Sequence, residues 1–278
     1  MIKRSQIACM NSHFNRYSFS YFLENISRIG YSSLEFWMGG PHFWLDGFNM
    51  QSCREVRDGC RNHGLRVVAT TTPSMAYQYQ YSPLEAEFTN YCFDYFCKGI
   101  QATVELGASI MTVNTGWGYR DGTSQYSFEQ TVELLGRLSK VAAANGVVLM
   151  LESLTTMESS IGDNLEKVIS LWREINHPNI KLMCDTVAVW NAGETLEEWF
   201  EATDGDICHM HFIDHVPGQV THYAWGDGKV PLTDLMKRLK QWDYKGYLTQ
   251  EYSPGFYGND PTAASLRGWR MLEPYCKD

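Results

Sequence analysis

Short apolar runs alternate along the chain with longer segments in which apolar residues recur every three or four positions. The short runs predict buried strands, and the three-to-four spacing predicts amphipathic helices. The predicted strands are 5–10, 32–37, 65–70, 109–114, 147–152, 179–184, 206–211 and 246–251. The predicted helices are 19–29, 53–63, 85–106, 128–144, 164–175, 195–202, 232–242 and 261–275. Strict alternation of strand and helix predicts an α/β protein built as a (β/α)8 TIM barrel.

Turn residues and chain length agree with this prediction. Gly30-Tyr31, Asn145-Gly146 and Lys245-Gly246 lie between predicted helices and the strands that follow them. A length of 278 residues is typical of one barrel. Since no Pro/Ser-rich linker or low-complexity stretch divides the sequence, we expect residues 1–278 to form a single TIM-barrel domain.

Charge and composition narrow the possible functions. A net charge of −9 disfavours binding to a phosphate backbone, which requires clustered basic residues. The first 13 residues lack the apolar core of a signal peptide, and no apolar run approaches membrane-spanning length. The eight cysteines are scattered without a CxxC pair, as expected of reduced thiols. We therefore expect a cytoplasmic protein that binds neither nucleic acid nor a membrane.

Four residues with metal-binding side chains end four successive apolar runs: Glu152, Asp185, His211 and Glu251. Side chains alternate across a strand, so these four share a face with the residue two positions earlier in each run. In a parallel barrel that face is the interior, and the last residue of each strand points into the mouth. Because four ionisable groups converging there would repel or lack hydration without a cation, we predict a divalent metal site.

The donor set also bears on the identity of the metal. Three carboxylates and one imidazole favour Mn²⁺, followed by Co²⁺ or Mg²⁺, while Zn²⁺ remains open. His209 faces inward one layer deeper than His211, where it is expected to support a ligand or to pack, rather than to coordinate.

The sequence resembles the xylose-isomerase-like TIM barrels, the sugar phosphate isomerase and epimerase family, and within it the branch of D-tagatose 3-epimerase and fructoselysine 3-epimerase. The resemblance covers nearly the whole chain. The motifs that carry it are GYSSLEFWMGGPH (30–42), LESLTTMES (151–159), HMHFID (209–214), THYAWGDGKVPL (221–232) and YKGYLTQE (244–251). It implies that Glu152 and Glu251 are both metal ligands and the acid/base pair, that Asp185 and His211 complete the metal site, and that Glu158 contacts substrate hydroxyls.

Two positions depart from the tagatose-type pattern. Where those enzymes have a His three residues after the metal Asp, this chain has Ala188. The Arg that follows the metal His is also missing, because the segment reads IDHVPGQVTHY (213–223). The fructoselysine-type enzymes share the Ala and the THY pattern. A substituted sugar is therefore favoured over a free ketohexose.

This ligand set supports proton transfer beside a ketone. A cation bound by the carbonyl and adjacent hydroxyl oxygens stabilises the charge that develops as the proton leaves. Carboxylates on opposite faces of the carbon would let one remove the proton and the other return it. The leading prediction is therefore a metal-dependent sugar epimerase or isomerase. In an alternative, Glu152 and Glu251 are ligands only and water moves the proton.

Further residues near the strand ends are candidates for substrate binding. His42 and His222 are placed to donate hydrogen bonds to hydroxyls, and Trp37, Trp117 and Tyr79 to wall the pocket. Each is equally an ordinary loop or packing residue. The Gly226-Asp-Gly228 segment is predicted to be a turn.

Three functions other than an epimerase are also known or conceivable for barrels of this kind. Related barrels are the catalytic subunits of C-glycoside deglycosidases, carbon–carbon lyases that act on 3-oxo-C-glycosides of aromatic aglycones together with a small partner subunit. Endonuclease IV shares the barrel but needs more metal ligands and a basic surface. A non-catalytic sugar-binding barrel would not require both carboxylates. We expect a small-molecule sugar or glycoside substrate, and a homo-oligomer, or a hetero-oligomer if the lyase alternative holds.

Overall fold

A computed structural model describes residues 2–47, 51–75 and 78–277. Within them, eight parallel strands pair in chain order and close into a barrel. They are β1 (Ile7–Met10), β2 (Ser33–Trp37), β3 (Arg66–Thr71), β4 (Ile110–Asn114), β5 (Val148–Glu152), β6 (Ile180–Asp185), β7 (Ile207–His211) and β8 (Tyr247–Gln250). The first strand closes the barrel on the last, with Ile7 opposite Leu248. The predicted (β/α)8 fold is confirmed.

Helices follow the strands around the outside of the barrel. They are α1 (Phe19–Ile29), α2 (Cys53–Asn62), α3 (Ala86–Leu106), α4 (Ser124–Ala144), α5 (Leu165–Ile175), α6 (Thr186–Asn191), α7 (Leu196–Ala202), α8 (Leu232–Gln241), α9 (Pro254–Tyr257) and α10 (Pro261–Leu272). Helix α4 begins four residues before its predicted start because Thr123 caps it, accepting a hydrogen bond from the Tyr126 N–H. Helices α6 and α9 were not predicted, since both are short and lack amphipathic spacing.

Two of the predicted turns require glycine. Gly30 ends α1 with a φ of 118°, in the left-handed region that other residues avoid. Gly246 precedes β8, where an added Cβ would lie 2.2 Å from the carbonyl oxygen of Cys208. These residues set the points at which the chain turns back into the barrel.

The two faces of the strands have different partners. Outward-facing residues such as Leu34, Met111, Leu149 and Leu182 are buried in the main hydrophobic core, beneath the helices. The inner face carries the polar residues at the carboxyl ends of the strands, so the mouth at that end is the polar part of the barrel. At the chain termini, Ile2–Lys3 and Cys276–Lys277 pair as a two-stranded parallel sheet. None of the helices among residues 2–47, 51–75 and 78–277 has the length and apolar character needed to span a bilayer.

Candidate metal centre and active site

The four predicted metal ligands meet at the mouth of the barrel. Glu152, Asp185 and His211 are the last residues of β5, β6 and β7, and Glu251 directly follows β8. One donor atom from each of the four lies within 4.8 Å of all the others. The His211 Nδ1 atom is 2.6 Å from Glu152 Oε1, 2.9 Å from Glu251 Oε2 and 3.9 Å from Asp185 Oδ2. The strand register thus brings together side chains that lie up to 99 positions apart.

The two carboxylate oxygens of Asp185 have different partners. Its Oδ1 atom accepts hydrogen bonds from the backbone N–H groups of Val187 and Ala188, at 2.6 Å and 3.2 Å, and so caps helix α6. This fixes the carboxylate and leaves Oδ2 directed at His211 and His222. The unpredicted helix α6 therefore begins at, and orients, a predicted ligand.

The donor set fits a divalent cation. The His211 Nδ1 atom is buried and makes no hydrogen bond of acceptable geometry to any described residue, although carboxylate oxygens surround it. Glu152 and Asp185 are also buried, and three carboxylates this close together repel one another unless a positive charge lies between them. One imidazole nitrogen with carboxylate oxygens is a donor set suited to Mn²⁺, Co²⁺, Mg²⁺ or Zn²⁺.

Without a cation, burial and the neighbouring charges shift the pKa values of the four ligands in different directions. Burial, reinforced by the charges of Glu251 and Asp185, raises the pKa of Glu152 to about 7. Burial alone would also raise the pKa of Glu251, but His211 and His222 hold it well below the usual range. Burial opposes a charge on His211, yet the surrounding carboxylates, Glu251 first, raise its pKa well above the usual value. Protons therefore occupy part of the ligand set at neutral pH.

His222 lies against two of the four ligands. Its Nε2 atom is 3.5 Å from Asp185 Oδ2, and its Nδ1 atom is 3.3 Å from Glu251 Oε2. The two carboxylates outweigh the effect of burial and raise the pKa of His222 to about 10. In the absence of a cation, the two carboxylates therefore favour the protonated imidazole.

A buried carboxylate that the sequence analysis missed lies directly beneath the ligands. Glu35, on β2, accepts hydrogen bonds from His209 Nε2 at 2.7 Å and from His211 Nε2 at 3.2 Å. Thr71 and Thr112 donate to its Oε1 atom at 2.5 Å and 3.0 Å. Glu35 and His209 are fully buried, and the two histidines hold the pKa of Glu35 well below its usual range despite that burial. One feature of the sequence could have identified Glu35: it is a charged residue in an apolar strand, on the same inward face as Ser33 and Trp37.

A cavity of about 180 Å³ opens over the cluster, and Glu152, Asp185 and Glu251 form its floor. Three of the predicted substrate-binding residues line it, namely Trp37, Glu158 and His222. Glu158 Oε2 accepts hydrogen bonds from both the N–H and the hydroxyl of Thr155, which fixes the side chain of Glu158. A larger cavity, of about 360 Å³, lies beside Trp190 and has no acidic residue in its lining.

The other three predicted substrate contacts are not among the residues that line this cavity. His42 is buried, with its ring nitrogens 3.1 Å from Asn11 Nδ2 and 2.9 Å from the Tyr17 carbonyl oxygen. Tyr79 is buried, stacks on Tyr95 with ring centroids 3.6 Å apart, and donates to Asp46. Trp117 packs edge-on against Tyr119.

Asn114 and Ser74 are among the lining residues that were not predicted from the sequence. Asn114 ends β4, and its Nδ2 atom donates a hydrogen bond to Ser74 Oγ at 2.8 Å. Its Oδ1 atom accepts from the Gly116 N–H at 3.0 Å, so the amide is held at both ends. Ser74 follows β3 in a segment, TTTPSM (70–75), that reads as an ordinary loop. Together they form a polar wall of the cavity.

A family model described as "Xylose isomerase-like TIM barrel" matches residues 23–274. The chain belongs to this family. The resemblance that the sequence motifs indicated is thereby confirmed.

Proteins to which this chain is similar include sugar epimerases. The fructoselysine 3-epimerase of Shigella flexneri is 24% identical over 251 residues, which cover 89% of this chain and 91% of that protein. The crystal structure of a 3-keto-D-glucoside 4-epimerase from E. coli superposes with a TM-score of 0.81 at 18% identity, covering 97% of this chain and 99% of that one. A D-tagatose 3-epimerase-like protein superposes with a TM-score of 0.82 at 15% identity, covering 97% and 96%. At these identities, the solved structures bear on the fold alone.

Proposed function

We propose that this family member is a divalent-metal-dependent sugar epimerase that inverts a carbon next to a ketone. The observation that supports this most is the convergence of three carboxylates and one imidazole nitrogen on one point below a cavity. The names of the relatives are consistent with it: one inverts carbon 3 of a fructose derivative, and another inverts carbon 4 of a 3-keto-glucoside. In both, the inverted carbon lies beside a ketone.

The proposed ligands are Glu152, Asp185, His211 and Glu251, with Mn²⁺ as the favoured ion. A bound divalent ion supplies positive charge beside the substrate oxygens and lowers the cost of removing the neighbouring C–H proton. Asp185 and His211 serve as ligands only. This leaves Glu152 and Glu251 as the two groups that also move protons.

Inversion requires proton transfer on both faces of one carbon. In our proposal, one of Glu152 and Glu251 removes the proton and the other delivers a proton to the opposite face. The configuration of the substrate decides which of them acts as the base. His222 donates a hydrogen bond to a substrate oxygen and offsets the negative charge of Asp185 and Glu251. Glu158 and Trp37 contact the part of the sugar away from the reacting carbon.

The proposed substrate is a ketose that carries a substituent, such as fructosyl-lysine. Ala188 replaces a larger polar group of the tagatose-type enzymes next to Asp185, and its backbone N–H is committed to the Asp185 carboxylate. A free ketohexose would therefore lose a polar contact at this point. The substituent of a substituted sugar would extend out of the cavity and contact the protein at another point, which would compensate for the lost contact.

A second function uses the same site. A carbon–carbon lyase that acts on a 3-oxo-C-glycoside would remove a proton beside the ketone and expel the aglycone. Large exposed side chains next to pocket-lining segments favour an apolar substituent: Met157 is 72% exposed beside Glu158, and Phe256 is 59% exposed in helix α9, which follows Glu251. This alternative requires a small partner subunit, whereas the epimerase requires at most copies of the same chain.

One experiment separates the two functions. The purified protein is loaded with Mn²⁺ and incubated with fructosyl-lysine, fructose, allulose and a 3-oxo-C-glucoside; products are identified by proton NMR after the ion is removed with a chelator. Accumulation of the epimer of a ketose, fastest for fructosyl-lysine, supports the epimerase. Release of a free aglycone supports the lyase, and no product from any substrate contradicts both. Light scattering of the same sample tests the expected homo-oligomer.

A further inference from the structure

We propose that Glu35 is a positioning residue that holds the imidazole of His211 in a single tautomer and orientation, with Nε2 protonated and Nδ1 directed at the metal. The role assigned to Glu35 rests on the divalent-ion site proposed above. The carboxylate lies on β2, three strands away from the nearest ligand-bearing strand in chain order, and touches none of the other three ligands through a described hydrogen bond.

The direction of the hydrogen bonds determines the tautomer. Glu35 Oε1 accepts two threonine hydroxyl protons, from Thr71 and Thr112, and lies 3.2 Å from His211 Nε2. With two hydroxyls on Oε1 and His209 Nε2 on Oε2, both oxygens of this carboxylate act as acceptors. His211 Nε2 must therefore carry the proton, which leaves the Nδ1 lone pair for the ion. Carboxylates that orient a ligating histidine in this way strengthen metal binding.

The second oxygen of Glu35 anchors the carboxylate itself. Its Oε2 atom accepts a 2.7 Å hydrogen bond from His209 Nε2, and the other ring nitrogen of His209 has no hydrogen bond to a described residue. Four donors from β3, β4 and β7 thus converge on one fully buried carboxylate. Glu35, His209 and His211 also have the spacing of a second metal site. We assign a hydrogen-bond network to them instead, because each donor to Glu35 is an O–H or N–H group of the protein.

The first test uses the wild-type protein. With Zn²⁺ as a diamagnetic probe, ¹⁵N-labelled histidine spectra report the state of each ring nitrogen of the eight histidines. We expect a zinc-bound Nδ1 and a protonated Nε2 for His211, and one ion per chain by elemental analysis. Coordination through His211 Nε2, or two bound ions per chain, would overturn the assignment of Glu35.

The second test measures metal affinity in variants. In E35Q the amide retains the shape of Glu35 but loses the charge, and we expect Mn²⁺ to bind about 10- to 100-fold more weakly. E35D keeps the charge with a shorter reach, and we expect a smaller loss. The d–d absorption spectrum of bound Co²⁺ should also change in E35Q, because His211 is free to rotate. The matched control is E194Q, since the carboxylate of Glu194 is likewise held by protein donors, Leu165 N and Trp199 Nε1, but lies outside the barrel interior.

The outcomes distinguish the positioning role from the metal site itself. If wild type and E194Q bind one Mn²⁺ and E35Q binds it more weakly, Glu35 positions His211. If E35Q and E35D bind Mn²⁺ as tightly as wild type with an unchanged Co²⁺ spectrum, the role assigned to Glu35 is wrong while the metal site stands. If wild type binds no divalent ion, the proposed function fails as well.

Discussion

His222 Nδ1 lies 3.3 Å from Glu251 Oε2, which places an imidazole beside the carboxylate proposed both to bind the metal and to transfer a proton. The same imidazole is 3.5 Å from Asp185 Oδ2. His222 thus links two ligands that come from different strands. It is also the only residue of the THY motif that lines the cavity among the described residues.

Replacing His222 is expected to impair catalysis more than metal binding. In H222Q the amide keeps a donor but loses the charge, so kcat/KM should fall by roughly 10- to 100-fold, the value of a hydrogen bond to a charged group. Steady-state kinetics at saturating Mn²⁺ measure this. H63Q is the control, because the His63 ring is hydrogen-bonded through Nδ1 to the Gly59 carbonyl on helix α2 and does not line the cavity. Equal kinetics for H222Q and wild type would show that His222 is a packing residue.

The polar wall formed by Ser74 and Asn114 predicts a contact with the sugar. Removing the Ser74 hydroxyl in S74A should raise KM about 5- to 10-fold with little change in kcat, because a contact distant from the reacting carbon is made equally before and during the reaction. S139A serves as the control, since the buried Ser139 hydroxyl donates to the Leu135 carbonyl within α4. A fall in kcat without a change in KM would assign Ser74 to the reacting centre instead.

Metal binding is expected to release protons. In the absence of a cation, the pKa of Glu152 is raised to about 7 and that of His211 lies well above its usual value. Both donor atoms must lose their protons to bind an ion, so affinity should fall as the pH is lowered through 7, about tenfold per unit for each proton displaced. Calorimetric titration with Mn²⁺ in buffers of different ionisation enthalpy counts the protons. An affinity that does not vary between pH 6 and pH 8 would contradict these pKa directions.

Asp214 determines the shape of the loop that carries His222. Its carboxylate accepts hydrogen bonds from the backbone N–H groups of His215, Gly226, Gly228 and Val230, at 2.8 to 3.0 Å. The predicted turn at Gly226-Asp-Gly228 is confirmed, and it wraps around this carboxylate. An added Cβ on Gly228 would lie 2.2 Å from Asp214 Oδ1, so the close approach requires glycine.

Loss of this carboxylate should destabilise the protein. We expect D214A to lower the free energy of unfolding by about 3 kcal/mol and the Tm by roughly 6–12 °C, since buried N–H groups lose a charged acceptor. Thermal melts followed by circular dichroism measure the shift. The control D234A removes an exposed carboxylate that pairs with Lys237 and should change stability by less than about 0.5 kcal/mol. Equal melts for the two variants would contradict the anchoring role of Asp214.

The sequence was sufficient to predict the barrel and the ligand cluster for one reason. Strand periodicity fixes which residues share a face, and parallel strands bring their carboxyl ends together. Glu152, Asp185 and His211 end their strands and Glu251 follows directly, so their convergence required no knowledge of the register.

The network beneath the ligands was not predictable in this way. Glu35 pairs in register with Ala69, yet its carboxylate contacts Thr71, and the β2–β3 pairing shifts between Leu34 and Glu35. A similar shift occurs in β6–β7, between Leu182 and Met183. Such irregularities redirect side chains and leave no pattern in a single sequence. The positions of His42 and Tyr79 depend likewise on contacts with distant loops, at Tyr17 and Asp46.

Proton transfer by Glu152 and Glu251 is tested most directly by following a single substrate proton. Wild type, E152Q and E251Q, each saturated with Mn²⁺, are incubated in D₂O with each epimer of the accepted substrate, and proton NMR records deuterium uptake and inversion separately. We expect wild type to invert the carbon with deuterium uptake and both variants to lose inversion by at least about 100-fold. Each variant should still exchange the proton of the one epimer that faces its remaining carboxylate. If both variants invert the substrate at the wild-type rate, Glu152 and Glu251 do not transfer the proton.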